Sequence, residues 1–229
     1  MTQNEKAKAF NAAHIKGRPL ILTNIWDAGS AKVVAEAGAT ALATGSWSVA
    51  AAQGYQDGEA MPLELLLSIT RRITETSTLP LSVDFESGYA LSAHDVALNV
   101  AKIIEAGAIG INFEDGIAGS KSMHPIELQC ERIRAIRAKA EQLGLEFFIN
   151  ARTDVFLQSD ADQHSVHYQE ALTRAKAYSD AGASGIFIPG LVDEVLIERF
   201  CNAIELPVNI MRSPQAASEQ RLAELGVST

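Results

Sequence analysis

The sequence predicts an α/β protein built as a (β/α)8 barrel of the TIM type. It reads as one domain over residues 1–229, with the eighth strand and helix missing or truncated in this chain. Three observations lead there. Short apolar runs alternate with amphipathic stretches along the chain, the pattern of parallel strands joined by helical crossovers. EAGATALATG, EAGAIGINFED and DAGASGIFIPG share one plan, in which a helix ends on an acid and Ala, Gly follows, and an apolar run begins. Finally, no GxGxxG or GxxxxGK[ST] follows the first strand, while polar residues gather at the ends of several strands. That distribution suits a barrel better than a doubly wound nucleotide-binding sheet.

The expected strands lie in LILTNIWD (20–27), ALATGS (41–46), LSVDFE (81–86), GINFED (110–115), FFINARTD (147–154), GIFIPG (185–190) and PVNIMR (207–212). Helices are expected over 64–77, over 94–107 with Ser92 as cap, over 126–144 and over 167–182, where apolar residues recur at three and four positions. The Gly of each repeated junction stands at C′, a position that favours φ > 0. LAELGVST (222–229) has the same form, so an eighth strand is expected to begin there, and no other apolar run in 213–229 could supply one.

Composition bounds the function. Of 229 residues 47% are hydrophobic and 21% charged, ordinary for a soluble domain, and the net charge of −9 argues against a nucleic-acid partner. No apolar run reaches membrane-spanning length, and the polar start MTQNEKAKAFNAAH has no signal-peptide core. Cys130 and Cys201 lack CxxC spacing and read as reduced thiols of a cytoplasmic protein.

The chemistry is expected at the strand ends. PLSVDFESGYA (80–90) carries Asp84 and Glu86, which the i, i+2 spacing of a strand places on one face. Glu114 and Asp115 end the next strand, Arg152 and Asp154 the one after, and Asp57 lies in the loop QGYQDGE. Carboxylates converging without His or Cys suit a hard divalent cation. Arg152 offers a fork for a substrate carboxylate or phosphonate. The small residues of TGSWS (44–48) suit a backbone cradle for an anion, and AGSKSMH (118–124) reads as a polar loop that could act as a lid. His164 and His167, three apart with no further ligand, read as a surface pair.

NIWDAGSAKVVAEAGATALATGS, VDFESGY, INFED and NARTD, in this order, resemble the isocitrate lyase / phosphoenolpyruvate mutase superfamily from about Phe10 onward. The resemblance implies Mg²⁺, with Mn²⁺ an alternative, held partly through water by Asp84, Glu86 and Glu114. It implies a small carboxylate or phosphonate substrate touching Trp26, Thr44, Gly45, Ser46, Arg152 and Asn209. Asp57, Lys121, His124 and Arg152 are the implied catalytic residues. It also implies a homodimer or homotetramer whose eighth helix is exchanged between subunits. The chain departs from the pattern in two places. The loop reads KSMH, without the Cys that family lyases use as proton donor or the Asn of the mutases, and IPG (188–190) lacks the lyase Glu.

The expected function is therefore a Mg²⁺-dependent lyase that cleaves or decarboxylates a small 2-oxo or 2-hydroxy di- or tricarboxylate. The alternatives are a phosphonate-processing mutase or hydrolase, or a catalytically degenerate carboxylate-binding homologue.

Overall fold

The computed structural model describes residues 1–229. Seven parallel strands form one sheet in chain order: β1 (Asn24–Ile25), β2 (Leu42–Thr44), β3 (Leu81–Asp84), β4 (Gly110–Glu114), β5 (Phe148–Arg152), β6 (Gly185–Phe187) and β7 (Val208–Asn209). The helices are α1 (Gln3–Ala13), α2 (Ala28–Glu36), α3 (Ser46–Ala52), α4 (Leu63–Thr76), α5 (Ala93–Glu105), α6 (Ile126–Gln142), α7 (His164–Asp180), α8 (Glu194–Ala203) and α9 (Glu219–Glu224). Sequential parallel neighbours with intervening helices are the (β/α) barrel arrangement. No helix is long and apolar enough to cross a membrane.

The repeated junction has a single physical cause. After α2, α5, α7 and α9 the chain makes the same Schellman turn, with Gly38, Gly107, Gly182 and Gly226 at φ of 98°, 98°, 104° and 90°. In each, the glycine amide bonds back to one carbonyl of the last turn, and the next amide reaches one further back, as in Ala108 N to Ile103 O at 3.3 Å. The fourth copy explains the end of the chain. Ser228 N donates to Val208 O at 2.9 Å and Ile210 N to Thr229 O at 3.1 Å, while Gly17 N and Leu20 N donate to Val227 O and Ser228 O. Residues 227–229 thus occupy the eighth position, between β7 and the segment leading into β1, as a stub of a strand.

Strand alternation divides the side chains. Leu81, Val83, Ile111, Phe113, Ile149 and Ala151 point outward into a continuous core beneath the helices. Asn24, Ala43, Ser82, Asn112, Asn150 and Asn209 point inward and line a central cavity of about 260 Å³. Branched aliphatics normally fill a barrel of this kind. Here amides cross it instead, with Asn150 Nδ2 donating to Asn112 Oδ1 (2.8 Å) and Asn209 Oδ1 (3.0 Å).

The first helix was not among the expected elements. Thr2 and Glu5 form a capping box at its start. Gln3 Nε2 donates to Ile104 O and Ala108 O, and Phe10 meets Phe148 edge-on at 5.3 Å, so α1 floors the barrel. Two other expectations differ in detail. The first and last strands pair over two residues each. His164 is buried against Phe156 O at 3.0 Å rather than lying on the surface. Both cysteines are free and buried.

Candidate active site

The site lies at the C-terminal ends of β2 to β5. Asp84 closes β3. Its backbone amide donates to Thr44 Oγ1 at 2.8 Å, and its Oδ2 accepts from the Ser46 amide at 2.9 Å, at the start of α3. Its Oδ1 is buried and has no partner. An unsatisfied carboxylate oxygen is costly in a protein interior unless a water, a cation or another donor reaches it.

Glu86 departs from the strand geometry expected of it. β3 ends at Asp84, and Glu86 takes a left-handed φ of 49°, with Gly88 at 90° and Tyr89 at 55°. The turn is held by a neighbouring loop. Glu59 N donates to Glu86 Oε2 (2.6 Å), Tyr89 Oη to Glu86 Oε1 (3.1 Å), and Tyr89 N to Glu59 Oε1 (2.7 Å). Burial, only partly offset by the Glu59 amide and reinforced by Asp57 and Asp84, pushes the Glu86 carboxyl up to about 7. At Gly88 a side chain would meet Phe113 at 3.0 Å and Val96 at 3.1 Å, so glycine is required both by φ and by space.

Glu114 and Asp115 are sequence neighbours with different tasks. Glu114 faces the cavity mouth, and its Oε2 lies 3.0 Å from Arg152 Nη1. Burial raises its carboxyl well above the ordinary range, against the lowering effect of Arg152. Asp115 points the other way into the core, where Tyr178 Oη (2.7 Å), Arg174 Nη1 (3.2 Å) and the Asp154 amide (3.0 Å) hold it. Arg152 also forks onto Asp154 at 2.6 and 3.2 Å.

The structure thus brings Asp84, Glu86, Glu114 and Arg152 together and adds Thr44, Ser46 and Asn209 around them. Gly45 precedes α3, where an added Cβ would strike Asn24 Nδ2 at 2.6 Å. The Ser46 amide is committed to Asp84 and the Gly45 amide faces Ile25 O at 3.4 Å, which leaves the Trp47 and Ser48 amides as the open donors of α3. Trp26 and Asp57 stand exposed at the rim. Lys121 lies at the exposed tip of a small hairpin closed by a Gly116–Met123 bridge. His124 is buried behind the site, with Nε2 3.3 Å from Ser87 Oγ, and burial lowers its pKa. Neither side chain lines the cavity.

Sequence reasoning missed Glu59, Tyr89 and the buried Arg132. The Arg132 guanidinium donates to the Ser87 carbonyl, to Ala90 O (3.0 Å) and to Gln129 Oε1 (2.8 Å), and so braces the Glu86 turn from behind. No sequence pattern marked Arg132. Asn112 and Asn150, amides inside apolar strands, were a legible signal for a polar lumen.

The profile of the phosphoenolpyruvate phosphomutase family matches residues 10–229. The chain belongs to that family. It is similar to 2-methylisocitrate lyase of Escherichia coli (strain K12), 32% identical over 217 residues, covering 91% of this chain and 70% of that one. It is also similar to oxaloacetate decarboxylase of Ectopseudomonas mendocina (strain ymp), 28% identical over 236 residues, 99% of this chain and 77% of the relative. Among solved structures, a Burkholderia cenocepacia J2315 protein whose phosphonomutase designation is provisional superposes with a TM-score of 0.96. It is 46% identical and covers 99% of this chain and 90% of the other. The named relatives are enzymes, lyases among them, and the barrel expected from the resemblance is the observed fold.

Proposed function

We propose that this protein is a Mg²⁺-dependent lyase that decarboxylates, or cleaves a C–C bond in, a small 2-oxo or 2-hydroxy di- or tricarboxylate. The observation that carries this reading is Asp84 Oδ1, a buried anionic oxygen with no donor at the mouth of a polar cavity. Asp84, Glu86 and Glu114 would hold the cation, with Mn²⁺ as the alternative metal. An all-oxygen donor set fits a hard ion, and burial, with a smaller contribution from the neighbouring acids, raises the carboxyls of Glu86 and Glu114. No three acids converge as a ready-made cage, so an ion held here would have to take part of its shell from water, as Mg²⁺ usually does. When bound, the cation supplies Lewis-acid stabilisation of the charge that develops on a carbonyl oxygen as the neighbouring C–C bond breaks.

This chain's residues do the rest. Thr44 and the Ser46 amide fix the Asp84 carboxylate, and Arg152 holds Glu114 while anchored to Asp154. The open amides at the start of α3, beside Thr44–Ser46, offer donors to a substrate carboxylate. The hairpin has Met123 and no Cys, Lys121 is exposed, and His124 is turned away. A reaction that draws its proton from solvent fits this mouth better than one needing a dedicated acid, which favours decarboxylation of an oxaloacetate-type substrate.

The test is pyruvate release from oxaloacetate above the uncatalysed background, with Mg²⁺ and with chelator. The expectation is strict dependence on the metal and a loss of roughly 100-fold or more in Asp84→Ala. Release that persists in chelator, or in the variant, ends this reading. The 46% likeness to the provisional phosphonomutase favours a second reading, action on a phosphonate. Phosphorus NMR of phosphonopyruvate incubated with the protein separates the two.

A further inference from the structure

We propose that Arg212 selects substrates carrying a second carboxylate, an inference that rests on the lyase reading above. Two arginines are among the residues that line the central cavity, Arg152 and Arg212. Arg152 is already shared between Glu114 and Asp154, so its fork is engaged before any substrate enters. The other cations near the site are elsewhere: Lys121 sits at the exposed hairpin tip, and Arg132 is fully buried behind the Glu86 turn. Arg212 follows β7 on the far side of the mouth from Asp84, three residues after Asn209, and its single partner is Glu219 on α9. Both members of that pair are more than half exposed, at 62% and 53%.

An exposed pair of this kind is weak and exchanges readily for another carboxylate. The guanidinium fork matches a carboxylate in two parallel hydrogen bonds, which a lone ammonium cannot do. A 2-oxo or 2-hydroxy acid group held on the Asp84 side would therefore present a carboxylate on its third carbon to Arg212 across the cavity. Arg212 is thereby the group that recognises the second acidic arm of the di- or tricarboxylate proposed above. Glu219 acts as the stand-in for that arm when the cavity is empty, and it competes with it.

Lactate and malate differ by that one carboxylate, and their binding in the presence of Mg²⁺ can be measured by calorimetry. The native protein should prefer malate. In Arg212→Met malate should weaken by about tenfold or more, the scale of a charge-assisted fork, while lactate stays within about twofold. Glu219→Gln should tighten malate a few-fold by freeing the guanidinium. Both positions are exposed, so the variants keep the fold. Malate binding unchanged in Arg212→Met, or a native protein that binds the two acids equally, overturns the role of Arg212 and leaves the lyase reading standing. A native protein that binds neither acid likewise overturns the role of Arg212, and the lyase reading is decided separately by the pyruvate-release assay.

Discussion

Glu86→Gln tests the electrostatics of the site without depending on a substrate. In the folded protein burial raises the Glu86 carboxyl from 4.5 to about 7. Between those values the folded chain keeps a proton that the unfolded chain has released. Stability is therefore greatest below about pH 4.5, falls as pH rises through about 7, and levels off above it. At about 1.4 kcal/mol per pH unit, the full loss is about 3 kcal/mol. Glutamine can replace the carboxylate locally: its oxygen accepts from the Glu59 amide, and its amide donates to the Tyr89 hydroxyl in place of the bond now running the other way. Glu114, whose carboxyl Glu86 helps to raise, should gain in the same direction. Urea denaturation with chelator present should show the variant more stable than the native protein by up to about 3 kcal/mol at pH 8, and the gap largely closed at pH 5. Added Mg²⁺ at pH 8 should narrow the gap, because only the native side chain offers it a charge. A native protein whose stability follows the same pH curve as the variant would refute the reasoning.

Two further outcomes follow from the packing. Gly88→Ala places a Cβ about 3 Å from Phe113 and Val96 at φ 90°, and should cost about 1–3 kcal/mol in thermal or urea unfolding. Arg174→Met removes a guanidinium that serves Asp115, the His124 carbonyl and Tyr178, and leaves a fully buried carboxylate short of its cation. A loss of about 3–5 kcal/mol is expected, and a value under about 1 kcal/mol would mean that Asp115 is protonated in the native state.

The order of strands and helices is local information. A helix that ends on an acid, one small or apolar residue and Gly before the next apolar residue fixes its own Schellman turn, so LAELGVST could be recognised as a junction from residues alone. Alternation likewise announces that Glu114 and Asp115 face opposite ways, because successive strand residues must. The family motifs pointed to Asp84, Glu86, Glu114 and Arg152, and the fold sets these at or just beyond the ends of three successive strands, with Glu114 paired to Arg152.

What the sequence could not state is which side each alternating set faces and what meets it there. Asp115 looks as suited to a metal as Glu114 until Arg174 and Tyr178, some sixty residues away, are placed against it. Glu86 looks like a strand residue until Glu59, Tyr89 and Arg132 hold it in a left-handed turn. Thr2 and Glu5 could cap a helix anywhere, and it is the floor of the barrel, through Phe148, that gives Phe10 its place. Residues 213–229 lack a full strand, yet the hydrogen-bonding edges left open by Val208 and Leu20 order the last three residues between them. Backbone propensity and capping act over a few residues and are written in the chain. Burial, charge compensation and strand edges arise between segments far apart in sequence, so only the folded arrangement decides them.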